Sequence, residues 1–174
     1  VASTDNNSEL LYGDFSKGAF ELGGSSLAQV LDKIGNNTPD VNDTAYFKNC
    51  FNTIQKLIEE GLILAGHDVS AGGLITTLLE MTFANCEGGL NIDLSAFNNN
   101  DLISVAFSEQ PAVVIQVKDN KAKEILANNN IDFVVIGKPQ DQREITLAKD
   151  GESYNLDIDA LRDVWYKSSH LLDI

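Results

Sequence analysis

Residues 61–94, GLILAGHDVSAGGLITTLLEMTFANCEGGLNIDL, decide how this chain is read. The apolar run Leu62-Ile63-Leu64-Ala65 has the length and texture of a buried strand. It leads into His67-Asp68-Val69-Ser70, and Gly72 and Gly73 then open a second apolar segment. There Leu74, Leu78, Met81 and Ala84 recur at three- and four-residue steps, which predicts a helix with one buried face. Glu80 and Asn85 fall off that stripe, and Gly88-Gly89 supplies a stop. The polar cluster is therefore expected at a strand-to-helix turn, the place where open α/β sheets bind ligands.

Two readings of that turn stand side by side. The first turn of a helix carries unpaired N–H groups and a partial positive charge, and glycines let a phosphate come close, so Gly72 and Gly73 are candidate nucleotide contacts. Asp68 is a hard oxygen ligand suited to Mg2+, which takes few protein carboxylates and keeps water or phosphate oxygens. The Ser70 hydroxyl suits a phosphate or a helix cap. The plainer reading makes Asp and Ser ordinary caps and His67 a packed or surface histidine, neither base nor ligand.

Composition bounds the rest. The chain has 174 residues, 43% of them hydrophobic, which fits one globular domain with a proper core. No run approaches the roughly 18 apolar residues of a membrane span, and no signal peptide is recognisable. With 12 basic residues and a net charge of −14, the chain is not expected to bind nucleic acid or membrane, because phosphate contacts need Lys and Arg. A nucleotide would have to rely on backbone N–H groups and a divalent cation. The chain begins at Val1 and reads as an excised part of something longer. Cys50 and Cys86 form no CxxC or zinc pattern and are expected as buried, reduced thiols of a cytoplasmic protein. A nucleophilic cysteine has no histidine partner in the pattern.

Along the chain, residues 3–8 form a polar lead expected to fray, and residues 10–14 a first strand. Gly23-Gly24-Ser25-Ser26 precedes a helix over 27–34; such small residues either cradle an anion or make a tight turn with a Ser cap. Residues 35–42 are a loop. A helix over 43–60 buries Phe47, Cys50, Phe51, Ile54, Leu57 and Ile58, and Gly61 stops it. A strand over 90–94 follows, then the Asn98-Asn99-Asn100 loop and a short helix over 102–107. Residues 112–117 read as a buried strand, 120–128 as a helix and 131–137 as a strand. Asp150-Gly151 turns a hairpin of 144–149 with 152–156, and a last helix over 157–168 starts at Asp157 or Asp159 with Trp165 as a core or interface anchor. The fold class is α+β with α/β-like alternation: one mixed sheet flanked by helices.

Three segments carry a family resemblance. Gly66-His67-Asp68-Val69-Ser70-Ala71-Gly72-Gly73-Leu74 with Leu79-Glu80-Met81-Thr82-Phe83-Ala84 closely resembles the HDxSDGGL run and following helix of the phosphoribosylformylglycinamidine synthase family. Leu22-Gly23-Gly24-Ser25-Ser26-Leu27-Ala28-Gln29-Val30 resembles its LG-small-small-LAQV segment, and Leu161-Arg162-Asp163-Val164-Trp165 with Lys167-Ser168-Ser169 its tail before the glutaminase part. The matches span essentially the whole chain, in order. Two positions depart: Ala71 stands where the family usually has Asp, and Glu109-Gln110-Pro111-Ala112 where it commonly has E-x-x-Gly.

The resemblance implies an aminoimidazole-ribonucleotide-synthetase-like C-terminal domain, the C-terminal subdomain of the second such unit. In that family the full chain uses ATP and glutamine-derived ammonia to make formylglycinamidine ribonucleotide from formylglycinamide ribonucleotide in purine synthesis. It further implies a structural ADP with Mg2+ at the second unit, with Asp68 as metal ligand and Ser70 as nucleotide contact. No catalytic residue transfers. The implied partners are the preceding synthetase subdomain and the glutaminase domain of the same chain. Two other classes compete: a purely structural interaction domain with a degenerate turn at Ala71, and a kinase-like relative such as thiamine-monophosphate kinase or selenophosphate synthetase.

Overall fold

The computed structural model of the chain describes residues 1–98 and 100–170, with side chains as far as 167. Asn99 of the asparagine loop, and the side chains of Ser168 and Ser169 in the tail motif, thus lie outside what is described. The strands are β1 (Glu9–Asp14), β2 (Ala65–Val69), β3 (Gly89–Asp93), β4 (Ala112–Val117), β5 (Phe133–Gln140), β6 (Glu144–Lys149) and β7 (Glu152–Asp157). The helices are α1 (Ser26–Val30), α2 (Thr44–Glu59), α3 (Gly73–Phe83), α4 (Leu102–Phe107), α5 (Asn120–Asn128) and α6 (Ile158–His170). The strands form one mixed sheet in the order β2-β4-β1-β5-β3-β6-β7, in which β3 and β6 run parallel and the other neighbours antiparallel.

Helices cover both faces, so central strands bury side chains in both directions. Along β1, Leu10 and Tyr12 enter the core under α3 and α4, whereas Leu11 enters the core under α2 and α5. Along β4, Ala112 and Val114 join the first core, and Ile115 and Val117 the second. This two-sided burial explains why the strand reads as a near-continuous apolar run, broken only by Gln116. Leu74, Leu78 and Met81 of α3 fill the first core, as their spacing predicts, and each side chain of that size contributes about 2 kcal/mol by leaving water. The Asp150-Gly151 hairpin forms in the expected register, pairing Lys149 with Glu152. Asp157 accepts from the Ala160 N–H at 3.0 Å and starts α6. Among the described residues no helix is long and apolar enough to cross a membrane.

Several expectations need correction. The strand of the organising stretch does not lie at residues 62–65 but at β2, so His67, Asp68 and Val69 are strand residues and not its sequel. Being at the sheet edge, β2 is not fully buried: Gly66 and Asp68 are exposed between buried Ala65 and Val69. An edge strand tolerates polar residues that a central strand would reject. Helix α3 ends at Phe83, leaving Ala84 exposed and outside the core. Helix α1 stops at Val30, short of Ile34. On α2, Phe51 (52% exposed) and Ile58 (53%) lie outside the core, while Tyr46 and Thr53 are buried in their stead. The strand expected from 131 starts two residues later, at Phe133.

The N-terminal lead is held, not frayed. Its Ala2 N–H donates to the Met81 carbonyl at 2.7 Å, and the buried Gln116 amide binds the backbone of Ser3 on both sides and the Ser8 hydroxyl. A glutamine inside a strand that reads as apolar needs such partners, and the lead supplies them. Of the two free cysteines, Cys50 is buried as expected but Cys86 is exposed, because it follows the end of α3. Trp165 is 51% exposed and leans on Phe83 with ring centroids 5.4 Å apart, so it caps α3 from outside the main core.

Candidate functional site

The site builds from the end of β2. Asp68 presents a side chain that is 79% exposed, and Ser70 just beyond the strand is exposed as well. His67 is engaged at both ring nitrogens: Nδ1 lies 2.7 Å from the Asp68 carbonyl oxygen and Nε2 3.2 Å from a Glu80 carboxylate oxygen. The Thr77 hydroxyl also donates to the Asp68 carbonyl at 3.0 Å. These contacts tie the strand edge to α3 and give His67 a packing role.

The turn into α3 is shaped by backbone freedom. Gly72 is the cap residue at φ 88°, and Gly73 follows at φ 75°, both in the left-handed region that side chains disfavour. A Cβ on Gly73 would approach the Phe107 backbone to 2.7 Å, so α3 and α4 touch there through the missing side chain. Ser70 does not cap α3 with its hydroxyl; its carbonyl accepts from the Gly73 N–H at 2.9 Å. The sequence marks a cap or a phosphate contact at Ser70, and the structure leaves the cap to Gly72.

The decisive side chain is one that motif reading passed over. One carboxylate oxygen of Glu109 accepts from the Gly72 N–H and from the Ser26 N–H, each at 2.8 Å. It joins the two small-residue turns, 23–26 and 70–73, which lie far apart in sequence. Partial burial pushes this carboxyl up, but the N–H groups of Gly72 and Ser26 and the Ser26 hydroxyl outweigh it and hold it below the usual range. The first turn also caps itself: the Ser25 hydroxyl oxygen accepts from the Ala28 N–H at 3.2 Å, which decides for the cap at that serine. The segment 109–112 stands out in sequence only as a departure from a family pattern. Nothing in its spacing links Glu109 to residues 83 and 37 positions away.

A Mg2+-nucleotide can be tested against these residues. Asp68 and Ser70 fit, being exposed oxygen groups two residues apart at one strand end. The amides of Gly72 and Gly73 are engaged by Glu109 and by the Ser70 carbonyl, so the anion contact expected at these two glycines is already made within the chain. Among the described residues no group of three or more His, Cys, Asp or Glu side chains gathers as a metal site, so Asp68 would supply one ligand of a set. Beside the turn runs a groove of about 880 Å3, whose lining includes Phe47, Phe51, Ile58, Asp68 and Glu109.

Comparison with known proteins agrees with this architecture. The chain is 39% identical over 168 residues to the probable phosphoribosylformylglycinamidine synthase, chloroplastic/mitochondrial, of Arabidopsis thaliana, covering 94% of this chain and 12% of that protein. It is 34% identical to the phosphoribosylformylglycinamidine synthase of Dictyostelium discoideum, covering 99% of this chain and 14% of that one. The chain thus spans only about an eighth of these relatives. In fold it is similar to Thermotoga maritima PurL complexed with FGAR, with a TM-score of 0.70 at 16% identity, covering 92% of this chain and 28% of that one. Residues 15–150 match the model of the AIR synthase related protein, C-terminal domain, and the chain belongs to that family.

Proposed function

We propose that this chain is a segment of a phosphoribosylformylglycinamidine synthase, the ligase that makes formylglycinamidine ribonucleotide from formylglycinamide ribonucleotide with ATP and glutamine. The observation that carries the reading is the 39% identity over 94% of the chain to a relative of that name. The preceding synthetase subdomain and the glutaminase domain of the same polypeptide are its proposed partners. The cytoplasm is the proposed compartment, although the Arabidopsis relative is named chloroplastic/mitochondrial. The kinase-like alternative draws no support from the names of these relatives.

Within that enzyme the end of β2 contributes part of a Mg2+-nucleotide site, with ADP or ATP as the ligand. Asp68 offers a carboxylate oxygen to the metal, and Ser70 offers its hydroxyl to a phosphate oxygen. Gly72 and Gly73 contribute by letting the chain turn sharply there, and Glu109 fixes that turn from behind. A bound Mg2+ would neutralise phosphate charge beside a chain of net charge −14. No residue of this chain is assigned a catalytic step. A purely structural role is the second reading, favoured by Ala71 in the motif and by the engaged glycine amides.

Calorimetric titration of MgADP and MgATP into the chain, with Asp68→Ala in parallel, separates the two. Magnesium-dependent binding abolished by the substitution is expected. Equal binding by the variant would remove Asp68 from the site, and no binding with the preceding subdomain restored would leave the structural role.

A further inference from the structure

Between β1 and α2 the chain makes an excursion, residues 22–38, that returns on itself and carries an apolar tip. Val30 is 81% exposed, Leu31 58% and Ile34 85%. One apolar side chain in water is ordinary, but three within five positions form a patch. None of the three joins either core, and α1 buries only Ala28.

The tip is held stiffly all the same. The Gly23 N–H donates to the Asn37 carbonyl at 2.7 Å and the Gly24 N–H to the Ile34 carbonyl at 2.8 Å, which closes the excursion at its neck. The Lys33 N–H donates to the Ala28 carbonyl at 2.7 Å, folding the chain back beyond α1. Gly35 lies so close to Gly23 that a Cβ on it would come to 2.6 Å from the Gly23 Cα. Asp32 takes a left-handed φ of 52°, a conformation that side chains disfavour. Backbone bonds, a glycine contact and a strained residue thus fix three apolar side chains in water. Such stiffness lowers the ordering cost of binding, which is what a preformed docking element provides.

Its position and size select the partner. The Ser26 N–H at the start of α1 shares one Glu109 oxygen with the Gly72 N–H, so the base of the tip adjoins the turn of the proposed nucleotide site. Leu31 stands five residues further, roughly 8 Å along the helix axis. Asp68 supplies one metal ligand at that turn, and among the described residues no cluster supplies the others. On the proposed reading a second body therefore covers this end, and the tip lies in its path. Three aliphatic side chains fall well short of the roughly 800 Å2 per partner of a stable complex between free proteins. A net charge of −14 also works against a second copy. A tether lifts the area requirement, because domains on one polypeptide meet at effective concentrations of about millimolar. The chain spans 12% of the Arabidopsis relative, so most of such a polypeptide lies outside it. Resting on the reading of this chain as a segment of that synthase, we infer that Val30, Leu31 and Ile34 form a docking knob for the preceding synthetase subdomain. That subdomain receives the knob in an apolar socket as it completes the nucleotide site, and Glu109 ties the docked knob to the Gly72 turn.

The test is photo-crosslinking in the full-length polypeptide, with benzoylphenylalanine in place of Ile34. Peptide mapping should place the crosslink within one polypeptide, on apolar residues of the synthetase subdomain that precedes Val1. Val30→Asp combined with Leu31→Asp should cut the yield about tenfold or more, because a carboxylate is costly in an apolar socket. Far-ultraviolet circular dichroism of the polypeptide should stay unchanged, since both positions are exposed in this chain. A crosslink to a second copy, to the glutaminase domain or to nothing would overturn the assignment, as would a yield that the Asp pair leaves intact. Failure of the nucleotide reading shows separately, as MgADP binding indifferent to Asp68→Ala with the crosslink in its expected place. A full-length sequence with no preceding synthetase subdomain would break the reading as a synthase segment before any crosslink is made.

Discussion

The two glycine-serine turns, 23–26 and 70–73, look alike in sequence and are built differently. The first caps its helix with its own serine, since Ser25 accepts from the Ala28 N–H. The second has no side-chain cap and is stabilised by backbone conformation at Gly72 and by a carboxylate brought from Glu109. Each has an N–H directed at the same Glu109 oxygen. A short motif of small residues therefore does not tell whether its N–H groups await an anion, because another part of the chain can deliver one. What remains exposed at the second turn is Asp68 and Ser70, on the strand side.

That contrast can be broken in a graded way, read by urea unfolding. Gly73→Ala is expected to have the largest effect, about 4 kcal/mol or more, because it adds both a strained φ and a clash with the Phe107 backbone that no rotamer relieves. Glu109→Ala strips the shared acceptor from both turns at once. It should cost about 2 kcal/mol, a figure kept low because the carboxylate is only half-buried. Ser25→Ala should cost about 1 kcal/mol and act on the first turn alone. Ser70→Ala should stay within about 0.5 kcal/mol, since only its carbonyl is used, while weakening MgADP in the calorimetric assay. Equal losses at Ser25 and Ser70 would refute the difference drawn between the turns.

Glu109 also gives the comparison a pH dependence. Its carboxyl is held below the ordinary 4.5 in the folded chain, so its contribution is fully present above that pH and is lost as pH falls through the lower folded value. Stability should therefore drop below about pH 4.5 in the wild type, and the drop should be shallower in Glu109→Gln. An identical acid profile for the two would show that the clamp is not ionised.

Much of the fold was legible because burial period and turn chemistry are local. The step of three and four in Leu74, Leu78 and Met81, the β-branched 112–117 run and the Asp150-Gly151 hairpin each depend on neighbours within a few residues. The misses share one cause. β2 carries polar residues because it is at the sheet edge, which depends on how β4 pairs with both β1 and β2. Phe51 and Ile58 stay exposed and line the groove beside Asp68, which the helical period alone does not foretell. Residues 3–8 are ordered because Gln116, more than a hundred positions away, supplies their partners.

The sequence by itself determined most of the helices and strands, that they belong to one mixed sheet, and that an Asp and a Ser stand beside a glycine turn. Tertiary structure alone decided which of those polar groups are free. Hydrogen bonds saturate: a glycine N–H that already donates to Glu109 is no longer free for another anion. Such pairing joins residues distant in the chain, and periodicity and motif spacing carry no record of it.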